Sequence, residues 1–276
     1  ASVVAIDYYA FAMCDNLQKV GFAEDNNLKG VYEGAFYGCK NLSDITLPDS
    51  IVEISEFAFY GCRKLTDVPV SATTQLKGIY DYAFAYAGFC GDYTAPETLI
   101  DIGSYAFMGN KFTSVTVPDT NYWDLIIGIG AFEDCQELAE VTLPFIGASF
   151  EDSEITWLGY IFGAGGYKAS ATYVPESLKK VNISEGITFV GAHAFDGLTG
   201  LEEMRIPYSV QLVYDYAFNG TTATYELTNI VTFVRYDHHV PYYEVTSSHV
   251  GQGISGHLEL SDKKTSICSN AFSNCS

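Results

Sequence analysis

One pattern recurs along this chain and limits what it can fold into: Ile or Val, three residues, Ala-Phe, and often Cys four positions after the Ala. It occurs at Ile6/Ala10/Phe11/Cys14, Val31/Ala35/Phe36/Cys39, Ile54/Ala58/Phe59/Cys62, Ile79/Ala83/Phe84 and Ile102/Ala106/Phe107. It continues at Ile127/Ala131/Phe132/Cys135, Val190/Ala194/Phe195, Val213/Ala217/Phe218 and Ile267/Ala271/Phe272/Cys275. The alanines from Ala10 to Ala131 are spaced 25, 23, 25, 23 and 25 residues apart. A unit this short cannot bury its own apolar face. It becomes stable only when neighbours stack on it, which is the logic of a solenoid.

Each unit has a second half. Seven residues after the Ala comes Leu, followed by an alternating apolar stretch and often Pro, as in Leu42/Ile45/Leu47/Pro48, Leu138/Val141/Leu143/Pro144 and Leu201/Met204/Ile206/Pro207. Alternation with period two predicts a short strand with one buried face. Pro ends it, because it has no N–H for the ladder. The Ala-Phe unit then sits on a tight turn or a single helical turn, with the Phe rings stacked in a ladder through the core. We therefore expect an α/β repeat solenoid of the leucine-rich-repeat type, mostly short strands and turns. About ten rungs at the strand spacing give an array on the order of 45–50 Å long. The outward positions of the strands, Asp44, Thr46, Glu140, Thr142, Glu203 and Arg205, form the default binding face. Lys180 and Asn182 belong to a similar strand.

The whole chain, 1–276, reads as one array with two interruptions. An irregular repeat covers 145–183, where Ile161-Phe162 stands in for Ala-Phe. An insert spans about 234–262 and carries Arg235, Tyr236, His238, His239, Tyr242 and Tyr243. Insertions in repeat arrays emerge as loops and often carry binding, and Tyr and Arg are common interface anchors.

Composition excludes several partners. The formal net charge is −20, from 34 acidic and 14 basic residues. Nucleic acid needs a basic footprint, and anionic lipid attracts basic segments, so neither is expected. No apolar run is long enough to span a membrane. Five of the seven cysteines, Cys14, Cys39, Cys62, Cys135 and Cys275, hold one repeat position that other units fill with Ala87, Leu198 or Thr221. We read that position as a small buried slot for free thiols. Cys90 and Cys268 lie off it and are open to pairing or reaction.

No catalytic pattern stands out. The histidines of the insert, with Asp237 and Glu259, lack His-Glu-x-x-His spacing. Ser255 lies outside any Gly-x-Ser-x-Gly sequence, and no EF-hand-type calcium loop is present. We expect no enzyme, no cofactor and no metal.

The segments from Ile54 to Val68 and from Val31 to Pro48 resemble BspA-type leucine-rich repeats, found in surface and secreted proteins of human-associated anaerobic bacteria. The resemblance implies a non-enzymatic adhesion or protein-binding module that is extracellular or at the cell surface. Export would use a signal peptide absent from this chain. The implied partner is an extracellular protein or a glycan, with the module itself monomeric. The alternative is a structural spacer region of a larger cell-envelope protein, with no ligand of its own.

Overall fold

The computed structural model describes residues 3–23, 26–71, 73–120, 122–207, 209–221, 223–227, 234–237, 240–243, 266–267 and 273. The repeat becomes a circuit of strand, turn and strand, stacked rung on rung. Two-residue strands Ala5–Ile6, Gly30–Val31, Glu53–Ile54, Gly78–Ile79, Asp101–Ile102 and Ile126–Ile127 pair in parallel as one sheet. The Ile or Val of each is buried. The sheet direction resumes at Phe189–Val190, Leu212–Val213 and Ser266–Ile267.

A second parallel sheet holds the longer strands Cys90–Thr94, Lys111–Thr116, Glu140–Leu143, Lys180–Ile183, Glu203–Ile206 and Thr224–Leu227. Lys19–Val20 and Asp44–Ile45 pair in the same sense in the first rungs. Between them and Cys90–Thr94 the segment 67–70 forms no strand, where Pro69 withholds a ladder donor. The proline after a strand turns the chain as its sequence predicts: the N–H of Ile51 donates to the carbonyl of Pro48 at 3.0 Å, and that of Val210 to Pro207 at 3.2 Å.

Between the sheets the Ala-Phe units form hydrogen-bonded turns. The N–H of each Phe donates to the Ala carbonyl of the following rung: Phe36 to Ala58 (2.8 Å), Phe84 to Ala106 (2.8 Å) and Phe107 to Ala131 (2.9 Å). The rings stack at centroid distances of 5.3, 5.0, 5.2, 5.6 and 5.6 Å from Phe11 through Phe36, Phe59, Phe84 and Phe107 to Phe132, and Phe195 meets Phe218 at 5.2 Å. Stacking at this offset adds to the burial of each ring. Among the described residues helix is confined to the irregular unit: two 3-10 segments, Leu158–Phe162 and Tyr167–Ala169, and the four-residue helix Ser170–Tyr173. There Phe132 N–H donates to Ile161 O at 2.9 Å, so Ile161 occupies the rung position of the missing Ala.

Two backbone positions in each turn are left-handed. The residue before the Ala (Tyr9, Gly34, Phe57, Tyr82, Tyr105, Gly130, His193, Tyr216) and the residue three after it (Met13, Gly38, Gly61, Tyr86, Gly109, Asp134, Gly197, Gly220) have φ between 52° and 73°. Non-glycine residues enter this region at a cost of about 1–2 kcal/mol. In both columns glycine follows certain large side chains, Gly34 after Tyr9, Gly130 after Tyr105, Gly38 after Met13 and Gly109 after Tyr86, for a packing reason. A Cβ on Gly34 would lie 2.3 Å from the Tyr9 ring, and one on Gly109 would lie 2.5 Å from the Tyr86 ring.

The Cys slot is more than a small space. Cys39 Sγ lies 3.0 Å from the carbonyl of Phe11, Cys62 Sγ 3.2 Å from that of Phe36, and Cys135 Sγ 3.5 Å from that of Phe107. In the rung where Asn110 takes the slot, its Nδ2 donates to Phe84 O and Phe107 O, both at 2.9 Å, while Oδ1 accepts from Phe89 N–H at 3.2 Å. Thr221 Oγ1 donates to Phe218 O at 2.8 Å. Cys14 departs from the buried reading: it is exposed, as are Phe11 and Met13, because no rung among the described residues packs on their outer side. Cys90 is a free, exposed thiol, and Cys268 and Cys275 lie outside the described residues.

Candidate binding face

The strand alternation that buries Val141, Leu143, Val181, Met204 and Ile206 sends their neighbours outward. Parallel pairing then brings those neighbours into columns. Ser114, Glu140, Lys180, Glu203 and Thr224 share one register, and Thr116, Thr142, Asn182, Arg205 and Glu226 share the next. Residues 21 to 40 positions apart become adjacent at the strand spacing of about 4.8 Å.

The polar contacts inside these columns are specific. Lys180 Nζ lies 3.6 Å from Glu140 Oε1 and 3.4 Å from Glu203 Oε1. Glu140, then Glu203, push its pKa above the usual lysine value, so it stays charged. Asn182 Nδ2 donates to Glu140 Oε1 at 2.7 Å and to Thr142 Oγ1 at 3.2 Å. Asp92 accepts from Ser114 Oγ (2.8 Å) and Thr113 Oγ1 (2.9 Å), which holds its carboxyl below the ordinary range. Glu203 and Arg205 are exposed, while Glu140, Thr142, Lys180 and Asn182 are half-buried.

The structure brings Glu140, Thr142, Glu203 and Arg205 together on this sheet, with Lys180 and Asn182 between them. Asp44 and Thr46 sit elsewhere, at the other end of the same side. Asp44 pairs with Lys19, and Asp44 and Thr46 line an open groove of about 330 Å³ with Ser43, Thr66, Asp67 and Ser71, where the sheet is interrupted.

The insert contains an antiparallel hairpin, Val234–Asp237 with Val240–Tyr243, in which Arg235 is opposite Tyr242 and Val234 opposite Tyr243. Tyr236 faces Pro241 across it. His238 and His239 lie outside the described residues, as do His249 and His257. Among the described residues no helix is long and apolar enough to cross a membrane, and no three His, Cys, Asp or Glu side chains converge as metal ligands would.

Two clusters carried no motif. His193 is sandwiched between Tyr167 (centroids 3.7 Å) and Tyr216 (5.2 Å), with Nδ1 2.6 Å from Asp196 Oδ2. The only signal was its place before Ala194, where other rungs carry Tyr, Phe or Gly. The second cluster joins Tyr122, Trp123 and Phe150. Phe150 is distant from the adjacent pair Tyr122-Trp123 in sequence and comes from the irregular repeat.

Stacked parallel rungs, a Phe ladder and an outward polar face define a leucine-rich-repeat solenoid. The model of the BspA type leucine rich repeat region matches in six copies, over residues 4–139, 100–153 and 169–236, and the chain belongs to that family. Among solved structures it is similar to a leucine-rich repeat protein from Bacteroides ovatus, at 22% identity and a TM-score of 0.49, covering 99% of this chain and 64% of that one. The leucine-rich repeat protein of T. pallidum gives 23% and 0.45, covering 64% of this chain and 80% of that one. The pneumococcal vaccine antigen PcpA gives 22% and 0.37, with 76% and 49% covered. This chain thus spans less than two thirds of the length of the first of them. No curated protein matches the chain.

Proposed function

We propose that this chain is a non-enzymatic binding module of an exported protein, at the cell surface or secreted, from a human-associated anaerobic bacterium. On this reading it contacts a host or microbial extracellular protein through the face of its long-strand sheet. The observation that carries the reading is the pair of in-register columns through Glu140, Lys180 and Glu203 and through Thr142, Asn182 and Arg205. Solenoids of stacked repeats use such extended faces for binding. Fixed donors and acceptors at strand spacing match an extended polymer, and their mutual ion pairs hold the side chains in place before a ligand arrives. That lowers the ordering cost of association. The hairpin carrying Arg235, Tyr236, Tyr242 and Tyr243 is the second contact site on this reading.

The test is a panel of extracellular-matrix proteins, mucins and glycans at physiological salt. One variant carries Glu140→Ala, Lys180→Ala, Glu203→Ala and Arg205→Ala; another carries alanines at Arg235, Tyr236, Tyr242 and Tyr243. Saturable binding lost in the first variant supports the sheet face, and loss in the second moves the site to the hairpin. Absence of any saturable ligand overturns the reading in favour of a spacer.

A further inference from the structure

Trp123 is 60% exposed and Ile126 54% exposed; the other large apolar side chains more than half exposed among the described residues, Val3, Val4, Tyr8, Tyr9 and Met13, all belong to the first rung. Trp123 and Ile126 lie where the lattice breaks. Ile126–Ile127 is the last strand of the first short-strand sheet, and the irregular unit crosses it: Ser149 bridges Ile126 in antiparallel sense, and Ile127 N–H donates to Ala148 O at 2.8 Å. That crossing brings Phe150 against Trp123 at 4.3 Å between centroids and 66° between planes. Tyr122 completes the group, 5.0 Å from Trp123 and 4.8 Å from Phe150. The indole is therefore braced by two rings and still open to solvent. The other tryptophan contrasts with it: Trp157 is partly buried and its Nε1 donates to Ala164 O at 3.1 Å.

The charges beside this cluster along the chain are of one sign. From Phe112 to Tyr167 the chain has no Lys, Arg or His. Asp124 adjoins Trp123, Glu151 adjoins Phe150, and both are exposed, as are Asp119 and Glu154. Asp152 is committed to the fold, accepting from the N–H groups of Glu154 and Ile155 at 2.7 and 2.9 Å. A braced, exposed indole bordered by carboxylates has the chemistry of cation recognition. The ring face attracts a guanidinium or ammonium, Trp most strongly of the aromatics, and the carboxylates pair with neighbouring positive groups. The same field repels phosphate-bearing polymers and anionic lipid.

We infer that the Tyr122–Trp123–Phe150 cluster is a docking surface for a cationic segment of a partner protein, with an Arg or Lys side chain over the indole and its neighbours paired with Asp124 and Glu151. This rests on the binding-module reading and adds a surface distinct from the strand columns. The test uses the full chain and fluorescence anisotropy with a labelled Arg-rich peptide of mixed sequence. The companion probes are the same peptide with citrulline for arginine and a chitooligosaccharide, at low salt and at about 0.15 M. Variants are Trp123→Ala, Trp123→Leu, the pair Asp124→Asn with Glu151→Gln, and a distant control pair Glu56→Gln with Glu176→Gln. Circular dichroism checks that each is folded.

The expected result is saturable binding of the Arg peptide, weakened about tenfold by either Trp123 variant. The Asp124/Glu151 pair also weakens it, the control pair leaves it unchanged, and the citrulline peptide fails to bind. Equal affinity in wild type and Trp123→Leu overturns the inference, since apolar area alone then suffices. So does equal binding of the citrulline peptide, absence of peptide binding, or chitooligosaccharide binding that depends on Trp123 in its place. If the peptide fails while a panel ligand still depends on Glu140, Lys180, Glu203 and Arg205, only this inference falls. If both fail, the binding-module reading falls with it.

Discussion

The rings of Tyr82 and Tyr105 stack with centroids 4.8 Å apart, and both residues hold their backbone left-handed, at φ 57° and 58°. Phe57 extends the stack, 5.0 Å from Tyr82 and itself at φ 56°. Each residue accepts an unfavourable backbone conformation that the turn demands, and the aromatic column offsets that cost through stacking worth about 0.5–1.5 kcal/mol per pair. The relationship predicts an ordering of variants. Tyr82→Val, β-branched and unstacked, destabilises by about 2–3 kcal/mol. Tyr82→Gly loses the stack but relieves the backbone, and costs about 1 kcal/mol. Urea unfolding of the two variants beside wild type measures the difference; a glycine variant worse than the valine one contradicts the account.

Asn110 predicts a second effect. It is fully enclosed and joins three backbone groups from three places in the stack: Phe84 O, Phe107 O and Phe89 N–H. Asn110→Leu keeps the branched shape and removes every one of those bonds. The expected loss is about 2–4 kcal/mol, since buried polar groups left without partners carry their full desolvation cost. Asn110→Cys restores the donor that other rungs use and recovers part of the loss. Thermal melts of the two variants check the ranking.

The thiols should divide by rung geometry. Burial pushes the Cys39 and Cys62 thiols well up, and raises Cys135 to about 12. Thiolate is the reactive form, so these three stay unmodified. Iodoacetamide on the native protein, followed by peptide mass spectrometry, should label Cys14 and Cys90 and spare Cys39, Cys62 and Cys135. Labelling of Cys62 at the rate of Cys14 would mean that the Ala-Phe turns open readily.

Asp101 supplies the pH dependence. Burial, then the nearby charge of Asp81, raises its pKa above the ordinary aspartate value. A carboxyl raised on folding stabilises the fold below its unfolded pKa, and that contribution is lost as pH rises through the folded pKa. At pH 7 the carboxylate is therefore a burden, and Asp101→Asn should raise the melting temperature. Below the unfolded value both proteins carry a neutral side chain, and the difference should close. Melts at neutral pH and near pH 3 are decisive; an asparagine variant that is less stable at neutral pH would show that the charge is satisfied by a partner.

Much of this architecture is legible in the residues. The Ala-Phe positions and the alternating strands give the rung, the buried Ile, Val, Leu and Phe columns and the outward direction of Glu140, Thr142, Glu203 and Arg205, because burial follows local periodicity. Tyr, Phe and His before the Ala are also visible, but their left-handed backbone is not. The turn's requirement comes from the rung-to-rung bonds that Phe36, Phe84 and Phe107 make to the following Ala carbonyl.

What tertiary structure alone decided concerns neighbours across rungs. The repeat period says that Glu140 and Lys180 face outward, but their pairing needs the length of the irregular unit between them and the register that places Val141 beside Val181. Asn110 differs from Ala87 and Leu198 only once three backbone groups converge on it. Trp123 and Phe150 share no motif and meet because the chain crosses the sheet edge at Ser149 and Ile126. The sequence by itself determines which repeat positions face the core, since apolar transfer free energy depends on residue type and spacing. Directional contacts depend on the relative position of distant segments, and only the stacked chain sets that.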